Sequence, residues 1–183
     1  MRLIILGGPG SGKGTQAKRL SEHFKISVIS TGNILRKAIS EQTELGKKAK
    51  DYVEKGELLP NEMMIEFIRD RLDKDDLEKG WILEGYPRTA FQAEELDFLL
   101  ETLGQKLNYG IYLQVSETVM KERSLKRSLM DDQPEVIERR INIFKQYTIP
   151  ILDYYQGTKR LLTIPGEAST DEVEKVILNK ITD

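Results

Sequence analysis

Five glycines and one lysine lie within eight positions near the start of the chain, in the stretch GGPGSGKGT of residues 7–15. Glycine lets the backbone turn so that successive N–H groups point at one anion, and the lysine adds a positive charge. The usual phosphate-binding pattern is G-x-x-x-x-G-K-[ST], in which a hydroxyl directly after the lysine holds Mg²⁺. Here Gly7 to Lys13 match, whereas Gly14 takes the hydroxyl position and Thr15 follows it. The stretch therefore predicts a phosphate site with an unusual metal arrangement.

This stretch lies between an apolar run and a helical one. Residues 2–6 (RLIIL) predict a strand buried on both faces, and residues 12–24 carry apolar side chains near helical spacing. The amino end of a helix at such a turn adds about half a positive charge. We expect the backbone N–H groups of the loop to surround nucleotide phosphates, and Lys13 to reach the β- and γ-phosphates.

Apolar runs alternate with helical stretches along the rest of the chain. Further strands are predicted at residues 26–30, 80–88, 109–116 and 160–166. This alternation predicts an α/β fold with a doubly wound parallel five-stranded sheet and flanking helices, in a single domain over residues 1–183. Residues 30–59 hold two helical stretches where one crossover suffices, so we expect a helical insertion there. Two later helices are expected at residues 117–128 and 134–155.

The composition excludes several classes of function. The 183 residues carry 28 Lys and Arg against 30 Asp and Glu, a net charge of −2, so nothing favours nucleic acid or an anionic membrane. The absence of cysteine excludes disulfides and thiolate sites, and the one histidine, His23, cannot build a metal site or a Ser-His-Asp triad. No apolar run approaches the roughly 20 residues that a membrane span needs. We expect a cytoplasmic protein without a nucleic-acid or membrane partner.

Several motifs resemble, in order and spacing, those of adenylate kinases and related nucleoside monophosphate kinases. The loop GGPGSGKGTQ is similar to theirs, which also has glycine in the hydroxyl position. STGNILRKAI (30–39) resembles the family segment S-T-G-D-x-L-R, and GWILEGYPRTAFQAEEL (80–96) resembles G-F-x-L-D-G-F-P-R-T-x-x-Q-A. The resemblance covers essentially the whole chain. It implies a P-loop NTPase type of fold and a reversible, Mg²⁺-dependent transfer of phosphate from ATP to AMP that gives two ADP.

The resemblance also implies an AMP site. Thr31 would face the adenine, Gln92 would read its edge, and the backbone of GELLP (56–60) would cradle it. Arg36 and Arg88 would hold the phosphate. The implied AMP-binding residues are Thr31, Gly32, Arg36, Glu57, Leu58, Leu59, Gly85, Tyr86, Pro87, Arg88, Gln92 and Arg140.

For ATP, the resemblance implies phosphate contacts from the loop and a backbone contact to the adenine from Ala168. The implied ATP-binding residues are Gly10, Ser11, Gly12, Lys13, Gly14, Thr15, Arg127 and Ala168. Phosphoryl transfer needs in-line positioning and positive charge, and the planar fork of arginine binds phosphate oxygens in pairs. The implied catalytic residues are Lys13, Arg88, Arg123, Arg127 and Arg140.

The chain departs from the family pattern in three places. Asn33 and Glu84 stand where aspartates usually serve the water shell of Mg²⁺; Glu84 keeps a carboxylate, so we still expect Mg²⁺, held by Glu84 through water. Between Arg127 and Asp131 the chain has only SLM, so residues 128–131 would form a vestigial lid, and Leu129 occupies the position of a lid arginine. We expect slower transfer and more wasted ATP hydrolysis than in a full-lid enzyme.

Two alternatives to an adenylate kinase remain at this point. A kinase for UMP, CMP or another monophosphate would share most of the motifs, although Thr31 within STG favours AMP. A catalytically weak sensor of adenine nucleotides would fit the short lid and Asn33, whereas the retained Lys13 and arginines argue against it. The resemblance implies a monomer whose partners are ATP and AMP.

Overall fold

The computed structural model describes residues 1–127 and 129–182. Within these ranges five strands form one parallel sheet in the order β2-β3-β1-β4-β5. Their bounds are Arg2–Leu6 (β1), Ser27–Ser30 (β2), Trp81–Glu84 (β3), Tyr109–Gln114 (β4) and Leu161–Pro165 (β5). The predicted α/β fold with a five-stranded parallel sheet is confirmed.

The helices connect successive strands and cover both faces of the sheet. Their bounds are Lys13–Phe24 (α1), Thr31–Ser40 (α2), Glu44–Lys55 (α3), Asn61–Leu72 (α4), Ala90–Thr102 (α5), Glu117–Arg127 (α6), Pro134–Ile143 (α7), Ile149–Gly157 (α8) and Thr170–Thr182 (α9). A short 3₁₀ turn spans Asp75–Leu77. No helix within the described ranges is long and apolar enough to cross a membrane.

The central strand β1 has its side chains buried on both faces of the sheet. Leu3 and Ile5 pack into the layer that contains α1 and α9, whereas Ile4 and Leu6 pack into the opposite layer. All four are at most 2% exposed. Because successive strand side chains point to opposite faces, this apolar run fits only a strand covered by helices on both sides. The end of β1, where the glycine-rich loop begins, is thereby fixed at the carboxyl edge of the sheet.

The insertion predicted at residues 30–59 consists mainly of the two consecutive helices α2 and α3. The two helices approach very closely at Gly46, where an added Cβ atom would lie 2.0 Å from the carbonyl oxygen of Ala38. The Thr43 hydroxyl accepts a hydrogen bond from Gly46 N–H at 3.1 Å and so caps α3. We keep a role in monophosphate binding for this segment as a proposal.

The prediction of a single uninterrupted helix at residues 134–155 is wrong. The structure has α7, a π-helical turn at Phe144–Thr148, and then α8. Pro150 has no N–H, and its ring clashes with the carbonyl group four residues earlier, so regular α-helix geometry cannot continue through it. The wider turn accommodates the proline. Of the predicted ranges, Ser128 in the lid and Asp183 at the end of the domain lie outside the described residues.

Candidate active site

The glycine-rich loop packs directly against α6. Gly10 and Gly12 have φ values of 72° and 95°, which L-residues with side chains rarely adopt. A Cβ atom on Gly10 would lie 2.5 Å from the carbonyl oxygen of Met120. Lys13 begins α1, and its ammonium group donates to the carbonyl oxygen of Gly8 at 2.7 Å, within the loop. The ammonium group thus lies against the loop backbone that would hold phosphates.

A wide cavity of about 1340 Å³ lies on one side of the loop. Its walls come from the loop and the start of α1, from Arg123, Arg127 and Leu129, and from the segment after β5. Arg123 donates to the carbonyl oxygens of Gly166 and Glu167, at 2.9 and 3.3 Å, and so ties α6 to that segment. Of the residues predicted to bind ATP, those that line this cavity are Gly10, Gly12, Lys13, Gly14, Thr15, Arg127 and Ala168.

An apolar cavity of about 600 Å³ lies beside α2, α3 and the loop after β3. Leu35, Val53 and Met64 supply apolar walls at the same cavity as the cationic side chains of Arg36 and Arg88. An anion with an attached flat apolar group would fit this combination. Of the residues predicted to bind AMP, those that line this cavity are Thr31, Gly32, Arg36, Glu57, Leu58, Leu59, Gly85, Arg88, Gln92 and Arg140.

A connecting cavity of about 440 Å³ shares residues with both of the others. It shares Lys13 with the wide cavity, and it shares Gly85, Arg88 and Arg140 with the apolar cavity. Pro87 also lines it. A group bound in the wide cavity and one bound in the apolar cavity would therefore meet beside Lys13, Arg88 and Arg140.

The cationic side chains at the connecting cavity repel one another and are largely shielded from water. Burial lowers the pKa of Lys13 to about 7; Glu84 opposes the shift, whereas Arg88, Arg140 and Arg127 add to it. Burial, with Arg88 and Arg127 adding to it, also lowers the pKa of Arg140 to about 10, although Asp131 opposes this. A bound polyanion would relieve this repulsion, so the arrangement favours phosphate groups.

Two adjacent aspartates hold three of the arginines. Asp131 Oδ2 lies 2.7 Å from Arg140 Nη1, and Asp131 Oδ1 lies 3.6 Å from Arg36 Nη1. Asp132 accepts two hydrogen bonds from Arg127, at 2.9 and 2.7 Å, and one from the N–H of Leu129 at 2.9 Å. Burial alone would raise the pKa of Asp132, but these hydrogen bonds hold it below the usual value. The described part of the short lid is thus fastened to the site arginines.

The structure does not bring every predicted side chain to a cavity wall. Ser11 is 2% exposed, and its hydroxyl lies against Gly7, where an added Cβ atom would be 2.5 Å away. Tyr86 is also 2% exposed, and its hydroxyl donates to the carbonyl oxygen of Gln92 at 3.3 Å, so it belongs to the core. Arg123, by contrast, does line the wide cavity, where its guanidinium group faces the segment after β5. A catalytic role for Arg123 stays a prediction.

Sequence reasoning missed several residues that shape the site. Thr148 lines the connecting cavity and donates to the carbonyl oxygen of Arg88 at 3.0 Å, which fixes the backbone there. Asp131 was predicted only as the end of the short lid, and Asp132 was not predicted at all. Two adjacent carboxylates directly after an arginine-bearing helix were a usable signal, whereas no pattern marked Thr148.

One carboxylate among the described residues of the wide cavity wall is available to a metal ion. Glu84 is the only Asp or Glu among the described residues that line the wide cavity, and it accepts a hydrogen bond from Ser30 at 2.6 Å. No group of three or more His, Asp or Glu side chains in the described ranges stands close enough to hold a metal by itself. Mg²⁺ commonly keeps several waters and binds through one or two carboxylates plus substrate phosphates, and Glu84 fits that requirement.

Comparisons with known proteins agree with this geometry. The family model described as "Adenylate kinase" matches residues 5–160. The chain is 63% identical to "Adenylate kinase 2" of Nostoc sp. over 97% of each chain, and 59% identical to "Adenylate kinase 2" of Synechocystis sp. over 99% of this chain and all of that one. It is 38% identical to "Adenylate kinase" of Caldicellulosiruptor bescii over 212 aligned positions, more than this chain contains, so that relative has residues that this chain lacks. The chain belongs to the adenylate kinase family.

Proposed function

We propose that this chain catalyses the reversible transfer of the terminal phosphate of ATP to AMP, which gives two ADP. The observation that carries the proposal is the junction of the wide and apolar cavities at Lys13, Arg88 and Arg140. Two nucleotides bound from opposite sides would have their phosphates meet there. Family membership supports the same reaction.

ATP would occupy the wide cavity. The N–H groups of the loop and the amino end of α1 would bind its phosphates, and the Lys13 ammonium group would move from the Gly8 carbonyl oxygen to a phosphate oxygen. Arg123 would hold the segment that carries Ala168 in place beside the adenine. Arg127 would bind phosphate through the guanidinium fork that now engages Asp132.

AMP would occupy the apolar cavity. Its phosphate would replace the Asp131 carboxylate as the partner of Arg36 and Arg140, and Arg88 would bind it from the other side. The base would lie among the apolar walls with Gln92 at its edge. This arrangement accounts for the presence of cationic and apolar residues around one cavity.

Transfer itself needs little covalent help from the protein. The two phosphates must be held in line, and the charge on the transferred group must be balanced. Lys13, Arg88 and Arg140 supply that charge in a partly buried position where electrostatic interactions are strong. No general acid or base with a raised or lowered pKa is required for this step.

We also propose that Mg²⁺ accompanies ATP, held mainly by phosphates and water, with Glu84 contacting one of its waters. When bound, the ion would neutralise part of the phosphate charge. Ser30 positions the Glu84 carboxylate through their hydrogen bond. The family resemblance supports a monomer in the cytoplasm, and light scattering on the purified protein would check the monomer.

The test is to mix the purified protein with ATP, Mg²⁺ and each nucleoside monophosphate in turn, and to follow diphosphate and free phosphate. We expect ADP from ATP plus AMP and little product with UMP, CMP or GMP. Efficient product with UMP or CMP would replace AMP with a pyrimidine acceptor. ATP binding without diphosphate from any acceptor would identify a nucleotide sensor instead.

A further inference from the structure

The side-chain amide of Gln92 is held from both sides at the wall of the apolar cavity. Gln92 is 2% exposed and lines that cavity. Its Oε1 atom accepts a hydrogen bond from the N–H of Arg88 at 2.8 Å, and its Nε2 atom donates to Oδ1 of Asn61 at 2.9 Å. Asn61 is the first residue of α4, is half-buried, and does not itself line the cavity.

The backbone N–H of Arg88 can only donate, so it fixes Oε1 as the acceptor end of the amide, and Asn61 Oδ1 holds the other end as the donor. A flipped Gln92 would present its NH₂ group to the N–H of Arg88, and two donors cannot pair. A primary amide has two N–H donors and two lone pairs on oxygen. One of each is used here, and neither the second N–H nor the second lone pair has a partner among the described residues. Both remain for a ligand, in a fixed order.

The two classes of purine present opposite patterns to such an amide. A 6-aminopurine offers an N–H donor at its exocyclic nitrogen and an acceptor at ring nitrogen N1. A 6-oxopurine offers an acceptor at O6 and a donor at N1–H. The fixed Gln92 amide therefore pairs with a 6-aminopurine. It would face a 6-oxopurine with donor against donor and acceptor against acceptor. That mismatch lowers affinity, because buried polar groups stay unpaired.

We infer that Asn61 is a specificity-determining residue that acts through Gln92: it holds the amide in the orientation that selects a 6-aminopurine over a 6-oxopurine in the acceptor site. This inference rests on the proposed function, since it assumes a purine monophosphate in the apolar cavity. Asn61 touches Gln92 and not the base, so it is a positioning residue. The backbone N–H of Arg88 shares the task, and side-chain substitution cannot remove that N–H.

The test compares AMP with inosine monophosphate, which differs from AMP in the two positions that Gln92 would read. Asn61→Leu removes the acceptor, and Asn61→Asp keeps a carboxylate oxygen in its place as the matched control. We expect wild type to favour AMP by about 100-fold or more in kcat/KM. Asn61→Leu lowers that preference by about 5- to 10-fold, the value of one hydrogen bond, mainly through a higher KM for AMP and with little change in kcat. Asn61→Asp retains the wild-type preference.

An Asn61→Leu protein that is folded and keeps the full preference would overturn the inference, as would a wild type that uses both monophosphates equally. Asn61→Ala serves in the same way if the leucine variant does not fold. Calorimetric binding of AMP and inosine monophosphate to each variant tests the inference without turnover. If wild type binds AMP over inosine monophosphate and Asn61→Leu loses part of that preference, but wild type forms no ADP, then the proposed function fails while the role of Asn61 stands.

Discussion

Asp131 Oδ2 lies 2.7 Å from Nη1 of Arg140, at the wall of the apolar cavity where we place the phosphate of AMP. The side chains are 6% and 14% exposed, so the pair is largely shielded from water. A carboxylate and a phosphate make the same demand on a guanidinium group. The ligand-free chain thus balances the charge of Arg140 with one of its own carboxylates.

Replacing Asp131 by asparagine should lower the stability of the protein and raise its affinity for AMP. Arg140 would keep its charge in a largely buried position with only the Asp132 carboxylate, 3.4 Å away, as anionic partner, and we expect the ligand-free protein to lose about 2 kcal/mol of unfolding free energy. AMP would no longer compete with a carboxylate, so its dissociation constant should fall several-fold. Thermal unfolding with and without AMP measures both effects.

Asp76→Asn is the matched control for that substitution. Asp76 makes a two-bond ion pair with Arg71 at 2.9 and 2.7 Å, but it is 55% exposed and lines none of the three cavities described above. We expect little change in stability and none in AMP affinity. An Asp131→Asn protein that behaves like this control would show that the Asp131–Arg140 pair does not compete with the ligand.

The lowered pKa of Lys13 predicts proton uptake when ATP binds. Burial puts this pKa at about 7 in the ligand-free chain, so at pH 8.5 most Lys13 side chains are neutral. Phosphate groups favour the ammonium form and would raise the pKa again. ATP binding at pH 8.5 should therefore take up nearly one proton, and ATP affinity should fall by up to about tenfold for each pH unit above 7. Calorimetry in buffers of different ionisation enthalpy counts the protons.

The same pKa also has a consequence for stability. Between pH 7 and the ordinary lysine value of 10.5, the unfolded chain binds one more proton at Lys13 than the folded chain does. The contribution of Lys13 to ligand-free stability should therefore increase as the pH rises through this range. Lys13→Arg, which stays charged throughout, should show neither this trend nor the proton uptake. Equal proton uptake by wild type and Lys13→Arg would contradict the assignment.

Two glycines of the loop should respond in opposite ways to alanine. Gly10 has a φ of 72° and a Cβ position 2.5 Å from the Met120 carbonyl oxygen, so Gly10→Ala should cost about 2 kcal/mol or more. Gly14 lies in α1 with nothing within 4 Å of an added Cβ atom, so Gly14→Ala should stabilise the ligand-free chain by about 0.5–1 kcal/mol.

Gly14 also lines the wide cavity, so the added methyl group would occupy space that we assign to ATP. We expect Gly14→Ala to raise the KM for ATP although the protein is more stable. Denaturant unfolding and initial-rate kinetics on the two variants check this pair of predictions. Unchanged ATP kinetics in Gly14→Ala would mean that the loop does not need glycine there for the nucleotide.

Leu129 is the position at which an arginine should restore activity. It lines the wide cavity beside Arg127, whereas its neighbour Met130 is 43% exposed and does not. We expect Leu129→Arg to increase the rate of ADP formation by about tenfold, well below the upper limit for an arginine finger, and to lower the ratio of free phosphate to ADP. Met130→Arg adds the same charge nearby and should change neither. A wild type with fast turnover and negligible ATP hydrolysis would contradict the idea that the short lid limits the enzyme.

The sheet was the part of the fold most open to prediction. Apolar runs such as residues 2–6 are too short for helices and are bounded by glycine or polar residues, and these two features together identify them as strands. The strand bounds in the structure differ from the predicted bounds by a few residues. The run at 80–88 contains a strand of only four residues, Trp81–Glu84, because Gly85 turns the chain with a φ of 90°. The π-helical turn before Pro150 escaped prediction, since Pro150 by itself does not say how the helix accommodates it.

Motifs predicted most of the residues that line the three cavities, because a motif specifies residues that are close in sequence. Lys13 beside the loop, and Arg88 beside Gly85, follow from local spacing. The pairing of Asp131 with Arg140 and Arg36 depends on how α2 and α7 meet across the cavity, which no local pattern encodes. The link from Gln92 to Asn61 joins residues 31 positions apart and depends in the same way on the packing of α4 against α5.

The alternation of β1 side chains between the two layers of the core also determines the position of the glycine-rich loop. A slip of one residue in the pairing of β1 would exchange Ile4 with Ile5 between the layers. It would also move the start of the glycine-rich loop along the sheet by about 3.3 Å. This shift exceeds the 2.7 Å length of the hydrogen bond from the Lys13 ammonium group to the Gly8 carbonyl oxygen. The packing of two neighbouring isoleucines therefore sets, to within one residue, where a phosphate can be held.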